Sequence, residues 1–446
     1  MLAFFRFEAF RIFAEKKNLA FFALIALSTG YFAWSGVNEY RRSLAEKKFF
    51  VDFEKEKTRQ IATYAQYGTF GFRILYETAP LNLFFINSSI LQDLESNIDN
   101  YEAIRIDSSF KGDKLFLMRG YFKDFAGILL VFGSLLMLYL GHLALVSPPY
   151  LRFLALRMPL ARYFFLTTAA RLFWLDLLFL VLIMGLFVGV QAGGIVFSGQ
   201  ERGVFLCFSL FLVLLLDFIY LLGQLTTVLI RFRKTFFLWF FVVWFACIFL
   251  LPELSRISVF RNSQSLEPAE KINLEKFRNL MAMEQEFRDY LKANPRSSLD
   301  QVRQMQKEFA VQFINSSYLV NTGLEMRYFR QIENVIAAHE RRSVFFPTTY
   351  YQFLSGEASG KGYHGYLEFM DYIMKLRNRF MQFYLKRRYL EPDSAVESFV
   401  KGSENIFRSR SRLPRSFVPG VMLTALYCAA LLLLAFLSLQ RQVGRP

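Results

Sequence analysis

Cysteine and histidine are both scarce in this 446-residue chain, which has three of each. Cys207, Cys247 and Cys428 all lie inside apolar runs, so no disulfide framework stabilises the polar parts of the chain. The histidines are far apart in sequence and have no metal-ligand spacing. The sequence therefore predicts neither a disulfide-rich fold nor a metal site.

The sequence also lacks the short motifs of hydrolytic and nucleotide chemistry. We find no Walker A motif, no nucleophile elbow and no HExxH pair. The glycine-rich run 356–362 has three residues between Gly356 and Gly360, and Lys361 is followed by glycine. A phosphate-binding loop needs about four residues there and a hydroxyl residue after its lysine. We expect a flexible surface loop, no cofactor and no enzyme active site in this chain.

The formal net charge of +16 does not indicate a nucleic-acid-binding protein, because the basic residues do not form one patch. Residues 37–121 hold 12 basic and 12 acidic side chains and are neutral. We therefore expect no nucleic-acid partner.

Long apolar runs are the dominant feature of the chain. Hydrophobic residues make up 54% of the sequence, and the mean hydropathy is +0.27. A helix that spans a bilayer needs about 20 mostly apolar residues. Six runs approach this length, at 19–36, 122–146, 164–190, 204–230, 235–252 and 416–440. The predicted fold is an all-α polytopic membrane protein with six transmembrane helices and two large, mainly helical extracytoplasmic insertions, 37–121 and 253–415.

Charge in the short loops predicts the orientation of the spans. Loops 147–163 and 231–234 carry basic residues and no acid, so both are expected in the cytoplasm. The even number of spans then places both termini there. Two basic clusters, at residues 41–48 and 408–415, fall on the outer side, and we expect them to belong to folded outer domains or to touch lipid headgroups.

The first 18 residues are predicted to form an amphipathic helix in the inner interface rather than a cleaved signal peptide. Glu8, Arg11 and Glu15 recur on one face of such a helix. In the second insertion, Ser298 and Gln301 form a capping-box pattern, and apolar spacing predicts a helix from Tyr366 to Tyr384.

The segment Leu222-Gly-Gln-Leu-Thr-Thr-Val-Leu-Ile-Arg-Phe-Arg-Lys-Thr, followed by a span with Trp244 and a terminal Pro252, resembles the ABC-2 type of ABC-transporter permease. The segment 147–162, with prolines at both ends, resembles the coupling loop of that family, and helix 1–18 resembles its elbow helix. The large loops after the first and fifth spans resemble the branch that includes gliding-motility and nitrous-oxide-reductase-maturation permeases.

This resemblance implies an exporter subunit in the cytoplasmic (inner) membrane of a bacterium. It implies cytoplasmic ABC ATPase subunits that hold ATP and Mg, a second permease that is identical or paralogous, and contact with membrane lipid. The residues expected to couple the chain to an ATPase are Tyr150, Leu151, Arg152, Leu154 and Arg157. The alternative is a non-transporting scaffold or receptor whose outer domains bind an envelope partner.

Four polar side chains lie inside the predicted third and fourth spans: Arg171, Asp176, Asp217 and Gln224. An intramembrane charge costs several kcal/mol on some scales, so it usually faces a partner or a wet path. We expect Arg171 to pair with Asp217 or Gln224 on the neighbouring span. These residues are candidates for an interhelical pair or for the transport path.

Glycines recur every fourth residue at the end of the predicted third span. The ridge of Gly185, Gly189 and Gly193 is typical of helices that approach each other closely in a membrane. We expect it to pack within the chain, and a moving seam is the alternative.

Overall fold

The computed structural model describes residues 2–85, 95–99, 124–144, 159–229, 236–262, 269–293, 298–390, 396–399 and 405–443. Its helices are α1 (Leu2–Phe13), α2 (Lys16–Arg59), α3 (Tyr64–Phe70), α4 (Phe125–Ala144), α5 (Leu160–Ala192), α6 (Gly199–Leu229), α7 (Phe236–Phe245), α8 (Leu251–Asn262), α9 (Ala269–Ala293), α10 (Leu299–Ser343), α11 (Pro347–Ala358), α12 (Tyr363–Leu385) and α13 (Phe417–Val443).

Six helices in the described residues are long and apolar enough to cross a membrane, which confirms the predicted polytopic, mainly helical membrane protein. Five of these candidate spans lie in α2, α4, α5, α6 and α13. The remaining one, Leu238–Ser255, contains most of α7, the π-helical turn Ala246–Leu250 and the start of α8.

The first span is part of a helix that is much longer than predicted. Sequence hydropathy places the span at 19–36, but α2 continues without interruption to Arg59. Residues 37–59 contain neither glycine nor proline and are rich in Glu, Lys and Arg, which favour helix. Arg42 and Glu46 add an i,i+4 ion pair on its exposed side. This helix therefore extends beyond the apolar run into the first insertion.

Helix α6 lies at the centre of the bundle, where α4 and α13 both pack against it. Close contact with α4 depends on two glycines. A Cβ atom at Gly141 would collide with the backbone carbonyl of Tyr220, and one at Gly223 with that of Leu138. The small-residue seam of this chain therefore lies between α4 and α6.

A small sheet joins the two predicted insertions, and the sequence patterns did not predict it. Its strands are β1 (Phe72–Glu77), β2 (Glu95–Ile98) and β3 (Ile406–Arg408), in the order β2-β1-β3. β1 pairs antiparallel with β2, and parallel with β3 in the register Leu75↔Ile406. The described parts of 37–121 and 253–415 thus form one structure, here called the extramembrane unit.

An aromatic core holds the extramembrane unit together. Tyr67 and Phe72 from the first insertion make edge contacts with the ring of Phe380 from the second, at centroid distances of 5.7 and 5.3 Å. The hydroxyl of Tyr67 accepts a hydrogen bond of 2.9 Å from the backbone N–H of Phe399. Because all three cysteines are free, this unit is stabilised by packing and hydrogen bonds and not by disulfides.

Helix α11 attaches the extramembrane unit to the bundle. Almost all of its residues are buried. Tyr351 donates a hydrogen bond of 2.8 Å to the carbonyl of Ala126 in α4, and Thr348 donates one of 2.6 Å to the carbonyl of Cys247. The short helix is therefore wedged between the ends of the spans.

The predicted helix signals in the second insertion are confirmed. Ser298 and Gln301 form both hydrogen bonds of a capping box at the start of α10, and the Tyr366–Tyr384 pattern lies within α12. A buried ion cluster links these helices to α9. Glu325 of α10 lies 2.7 Å from the ammonium of Lys276 and 3.4 Å from the guanidinium of Arg377.

Candidate functional site

The coupling residues Tyr150, Leu151, Arg152, Leu154 and Arg157 lie outside the described residues, as does the basic link 231–234. The described chain resumes at Pro159, which immediately precedes the first residue of α5. Proline suits this place because the first turn of a helix leaves its N–H groups unpaired. The predicted coupling segment is therefore joined directly to the third span.

The buried guanidinium of Arg171 forms an ion pair with a carboxylate of the amino-terminal helix. The Nε atom of Arg171 in α5 lies 2.8 Å from a carboxylate oxygen of Glu8 in α1. Both side chains are almost fully buried, with 4% and 1% of the residue surface exposed. The expected pairing with Asp217 or Gln224 is therefore wrong. Hydropathy located the charge in the span, but it carried no information about which other helix packs there.

Helix α1 packs its polar face against the third span. Its carboxylate Glu8 points into the bundle, whereas Phe7 and Phe10 are exposed. The indole N–H of Trp174 donates a hydrogen bond of 3.0 Å to the carbonyl of Phe5, and this bond fixes α1 along α5. The polar face predicted from Glu8 and Arg11 exists, but Glu8 neutralises a buried arginine instead of facing water.

Polar side chains continue from Arg171 along the contact between α5 and α6. Tyr220, fully buried on α6, interacts with Arg171. The amide of Gln224 donates to the hydroxyl of Thr168 at 3.0 Å and to that of Tyr220 at 3.4 Å. Glu8, Thr168 and Tyr220 belong to this site but were not among the site residues predicted from the sequence. In the sequence, Glu8 stood out only as part of the polar face of the predicted amphipathic helix.

Asp176 and Asp217 meet each other one to two turns further along the same two helices. Their carboxyl groups lie within interaction range. One oxygen of each is buried and has no other hydrogen-bond partner among the described residues. Two carboxyl groups can hydrogen-bond only when one of them carries a proton. This pair therefore differs from the Glu8–Arg171 site, where opposite charges neutralise each other.

The glycine ridge on α5 does not pack within the described chain. A Cβ atom at Gly185 or Gly189 would meet no atom within 4 Å, and one at Gly193 would meet only the last turn of its own helix. The intrachain packing expected of these glycines is therefore not observed. Gly185 and Gly189 are exposed instead, in line with Val181 on the same side of α5.

The glycine-rich run 356–362 is a buried turn and not the flexible surface loop that we expected. Gly360 adopts a φ of +75°, which favours glycine. Tyr76 of β1 donates a hydrogen bond to its carbonyl oxygen. A Cβ atom at Gly362 would collide with the carboxylate of Glu357. The run is thus the point where β1 contacts the end of α11.

His364 lies between two carboxylates beside this turn. Its Nδ1 atom is 3.3 Å from Glu357 and its Nε2 atom is 3.6 Å from Glu340. The hydrogen-bonding contact with Glu357 raises the pKa of His364 against the opposing effect of burial. Arg412, 3.8 Å from Glu357, opposes protonation of the imidazole. This cluster ties the ends of α10 and α11 to the segment that leads into α13.

No metal-binding group of three or more His, Cys, Asp or Glu side chains occurs among the described residues. No protein-family model, curated protein or solved structure matches this chain. Within the described parts of the spans, a function must therefore be inferred mainly from the polar contacts among α1, α5 and α6.

Proposed function

We propose that this chain is the membrane-spanning permease subunit of an ABC-2 type transporter that exports its substrate. The ATP would be hydrolysed, with Mg, by separate cytoplasmic ATPase subunits. The observation that best supports the proposal is the six-span bundle with helix α1 docked on its third span through Glu8 and Arg171. The resemblance of segment 147–162 to the coupling loop of ABC-2 type permeases supports the same function.

The route from an ATPase to the bundle passes through α5. The coupling segment ends where α5 begins, so a push on it moves the amino end of that helix. Arg171 lies about three turns into α5, and its ion pair makes α1 move with it. The contacts of Tyr220 and Gln224 carry the same displacement to α6. Rigid-body shifts of this kind are a recurrent way to switch between conformational states.

The Asp176–Asp217 pair is the candidate for the transport path. Its carboxyl groups have no cation partner among the described contacts, so a substrate or proton can interact with them without breaking an ion pair. Arg171 is already neutralised by Glu8, and we assign it and Gln224 to helix packing and coupling. The substrate-contacting role is confined to the aspartates.

The first experiment tests the coupling role. The tagged full-length chain is purified from its native membrane with the ATPase subunits bound, and ATP hydrolysis is measured in nanodiscs. We expect Arg157→Glu to lower ATPase recovery or turnover and to leave membrane insertion intact. Arg42→Glu is the control, because Arg42 is an exposed residue of α2 whose ion pair is with Glu46. Absence of any ATPase from the native complex would favour the scaffold alternative.

The second experiment tests the proposed topology in the inner membrane, with both termini and loop 147–163 in the cytoplasm. Single cysteines are placed at Thr69 and Ser298, both exposed residues of the extramembrane unit, in a variant without native cysteines. We expect both to react with an impermeant thiol reagent in intact cells. The exposed Arg162 at the start of α5 is the inner control and should react only after permeabilisation. Reversed labelling of the two sets would refute the orientation.

A further inference from the structure

His364, the second residue of α12, lies where the extramembrane unit joins the last span. Its two ring nitrogens face carboxylates on two other helices, Nδ1 at 3.3 Å from Glu357 in α11 and Nε2 at 3.6 Å from Glu340 in α10. A neutral imidazole carries one N–H group, so only the imidazolium offers a donor to both carboxylates. About a third of the side chain, 32%, is exposed, and it can therefore exchange its proton with solvent.

Glu340 fixes the amino end of α13. One of its carboxylate oxygens accepts a hydrogen bond of 2.6 Å from the hydroxyl of Ser416 and one of 3.2 Å from the backbone N–H of the same residue. Ser416 immediately precedes the first residue of α13. The other oxygen of Glu340 faces His364. The imidazole therefore contacts the carboxylate that holds the start of the last span.

Glu357 is the second carboxylate of this cluster, and it is only 1% exposed. It accepts a hydrogen bond of 3.2 Å from the backbone N–H of His364. Arg412 lies 3.8 Å from its other oxygen, but that guanidinium also makes two hydrogen bonds of 2.6 Å to Glu368 of α12. These contacts set three carboxylates against one guanidinium. A proton on His364 supplies a second positive charge where a buried carboxylate needs one.

The other titratable groups around the cluster do not take over this role. Burial raises the pKa of Tyr76 in β1 and of Tyr350 in α11, so both hydroxyls stay neutral. His339, beside Glu340 in sequence, packs against one aromatic ring of α11 and one of α12. The pKa of His364 is raised mainly by its hydrogen-bonding contact with the α11 carboxylate, against burial and the nearby guanidinium. Its change of charge near neutral pH therefore acts directly on both carboxylates.

We propose that His364 is a pH-dependent bridge between the extramembrane unit and the last span. The imidazolium links Glu357 to Glu340 and holds the ends of α10 and α11 against the start of α13. When the ring releases a proton to solvent, it keeps one N–H, and one carboxylate loses its donor. The two negative charges then repel each other, and Glu340, whose side chain is 14% exposed, can turn towards water and away from Ser416.

The direction of the pH effect follows from the raised pKa of His364. A group of this kind stabilises the folded contacts fully below its ordinary pKa of about 6.5. The stabilisation is lost as the pH rises through the pKa of the folded protein. The bridge is therefore closed in mildly acidic solution and open in mildly alkaline solution. This inference does not depend on the transport function proposed above.

Hydrogen exchange of the full-length protein in nanodiscs tests the proposal. Exchange is followed by mass spectrometry at about pH 5.5 and about pH 8, on either side of the ordinary histidine pKa, and corrected for the intrinsic pH dependence of exchange. We expect the protection of peptides from 412–424 to fall several-fold at the higher pH, because opening frees the N–H of Ser416. His364→Gln cannot carry the charge and should show the low protection at both pH values.

The matched control is His339→Gln, which removes the neighbouring histidine and should keep the wild-type ratio of protection between the two pH values. Glu340→Gln retains an oxygen that can accept from Ser416 but removes one of the two charges, so we expect a smaller ratio in this variant. Its melting temperature and that of His364→Gln show that the variants are folded.

Three results would overturn the bridge. The first is wild-type protection that does not change with pH. The second is a His364→Gln variant whose protection is lowered by the same factor at both pH values, which would show a purely structural histidine. The third is a folded Glu340→Gln variant with the full wild-type ratio, which alone decides the question if His364→Gln does not fold.

Discussion

Two neighbouring spans, α5 and α6, are nearly equal in length and hydropathy but differ in their surroundings. They have 33 and 31 residues, with peak hydropathies of 2.5 and 2.6. Within the chain, however, 67% of the apolar window of α6 is buried, against 22% of that of α5. Helix α6 is therefore the core of the described bundle, whereas most of the apolar window of α5 is not covered by the rest of the described chain. Hydropathy reports that a helix lies in the membrane, but it does not report what packs against it.

The largest expected effect is a difference between glycines on the two helices. Gly223→Leu on α6 forces a side chain into the backbone of α4, so we expect a loss of more than about 4 kcal/mol and almost no folded protein. Gly189→Leu is the same change on the open side of α5 and should leave the folded monomer unchanged. Fluorescence-detected gel filtration and melting in detergent measure both. Equal losses in the two variants would show that α5 is enclosed as well.

The second prediction concerns the buried ion pair between α5 and α1. Glu8→Gln leaves the charge of Arg171 without its carboxylate, and we expect a destabilisation of about 3 kcal/mol. Combining it with Arg171→Met should restore most of the loss, because no buried charge remains. Thermal unfolding in nanodiscs gives both values. Arg11→Gln, at the half-buried end of the same ion network, is the control with a small effect. A stable Glu8→Gln single variant would contradict the pairing.

The third prediction concerns the hydrogen bonds that join the two helices. Gln224→Leu removes the bonds to Thr168 and Tyr220, and we expect a cost of about 1–2 kcal/mol. A double-mutant cycle with Thr168→Val should show coupling, because both single variants remove the same hydrogen bond between Gln224 and Thr168. Strictly additive effects on the unfolding free energy would indicate that the contact contributes nothing.

The smallest effect on stability is expected for the aspartate pair. Asp217→Asn replaces one carboxyl group with an amide that can donate a hydrogen bond to Asp176 without a shared proton. We expect the unfolding free energy to change by about 0.5 kcal/mol or less. Asp176→Asn is the reciprocal variant and should behave alike. A loss as large as that of Glu8→Gln would mean that the pair is structural, and it would remove the basis for a transport-path role.

The spans and the local helix signals could be predicted from sequence because both depend on short segments. Twenty apolar residues define a span, and Ser298 with Gln301 defines a helix start. The pairing of β1 with β3 could not be predicted, because the strands are six and three residues long and more than 300 residues apart. The partner of Arg171 was missed for a related reason. It depends on how α1 packs on α5, and no local pattern encodes that contact.

The unbroken length of α2 has a mechanical consequence. At 1.5 Å per residue its 44 residues form a rod of about 66 Å. Near one end, Asn18 is bonded to the carbonyl of Ile12 in α1, and near the other, Lys57 is bonded to that of Gly71 beside the sheet. A rod of this length that tilts by about 5° about its amino end moves its far end by about 6 Å. A slight rotation of α2 where α1 meets α5 would therefore become a displacement of several ångströms in the extramembrane unit.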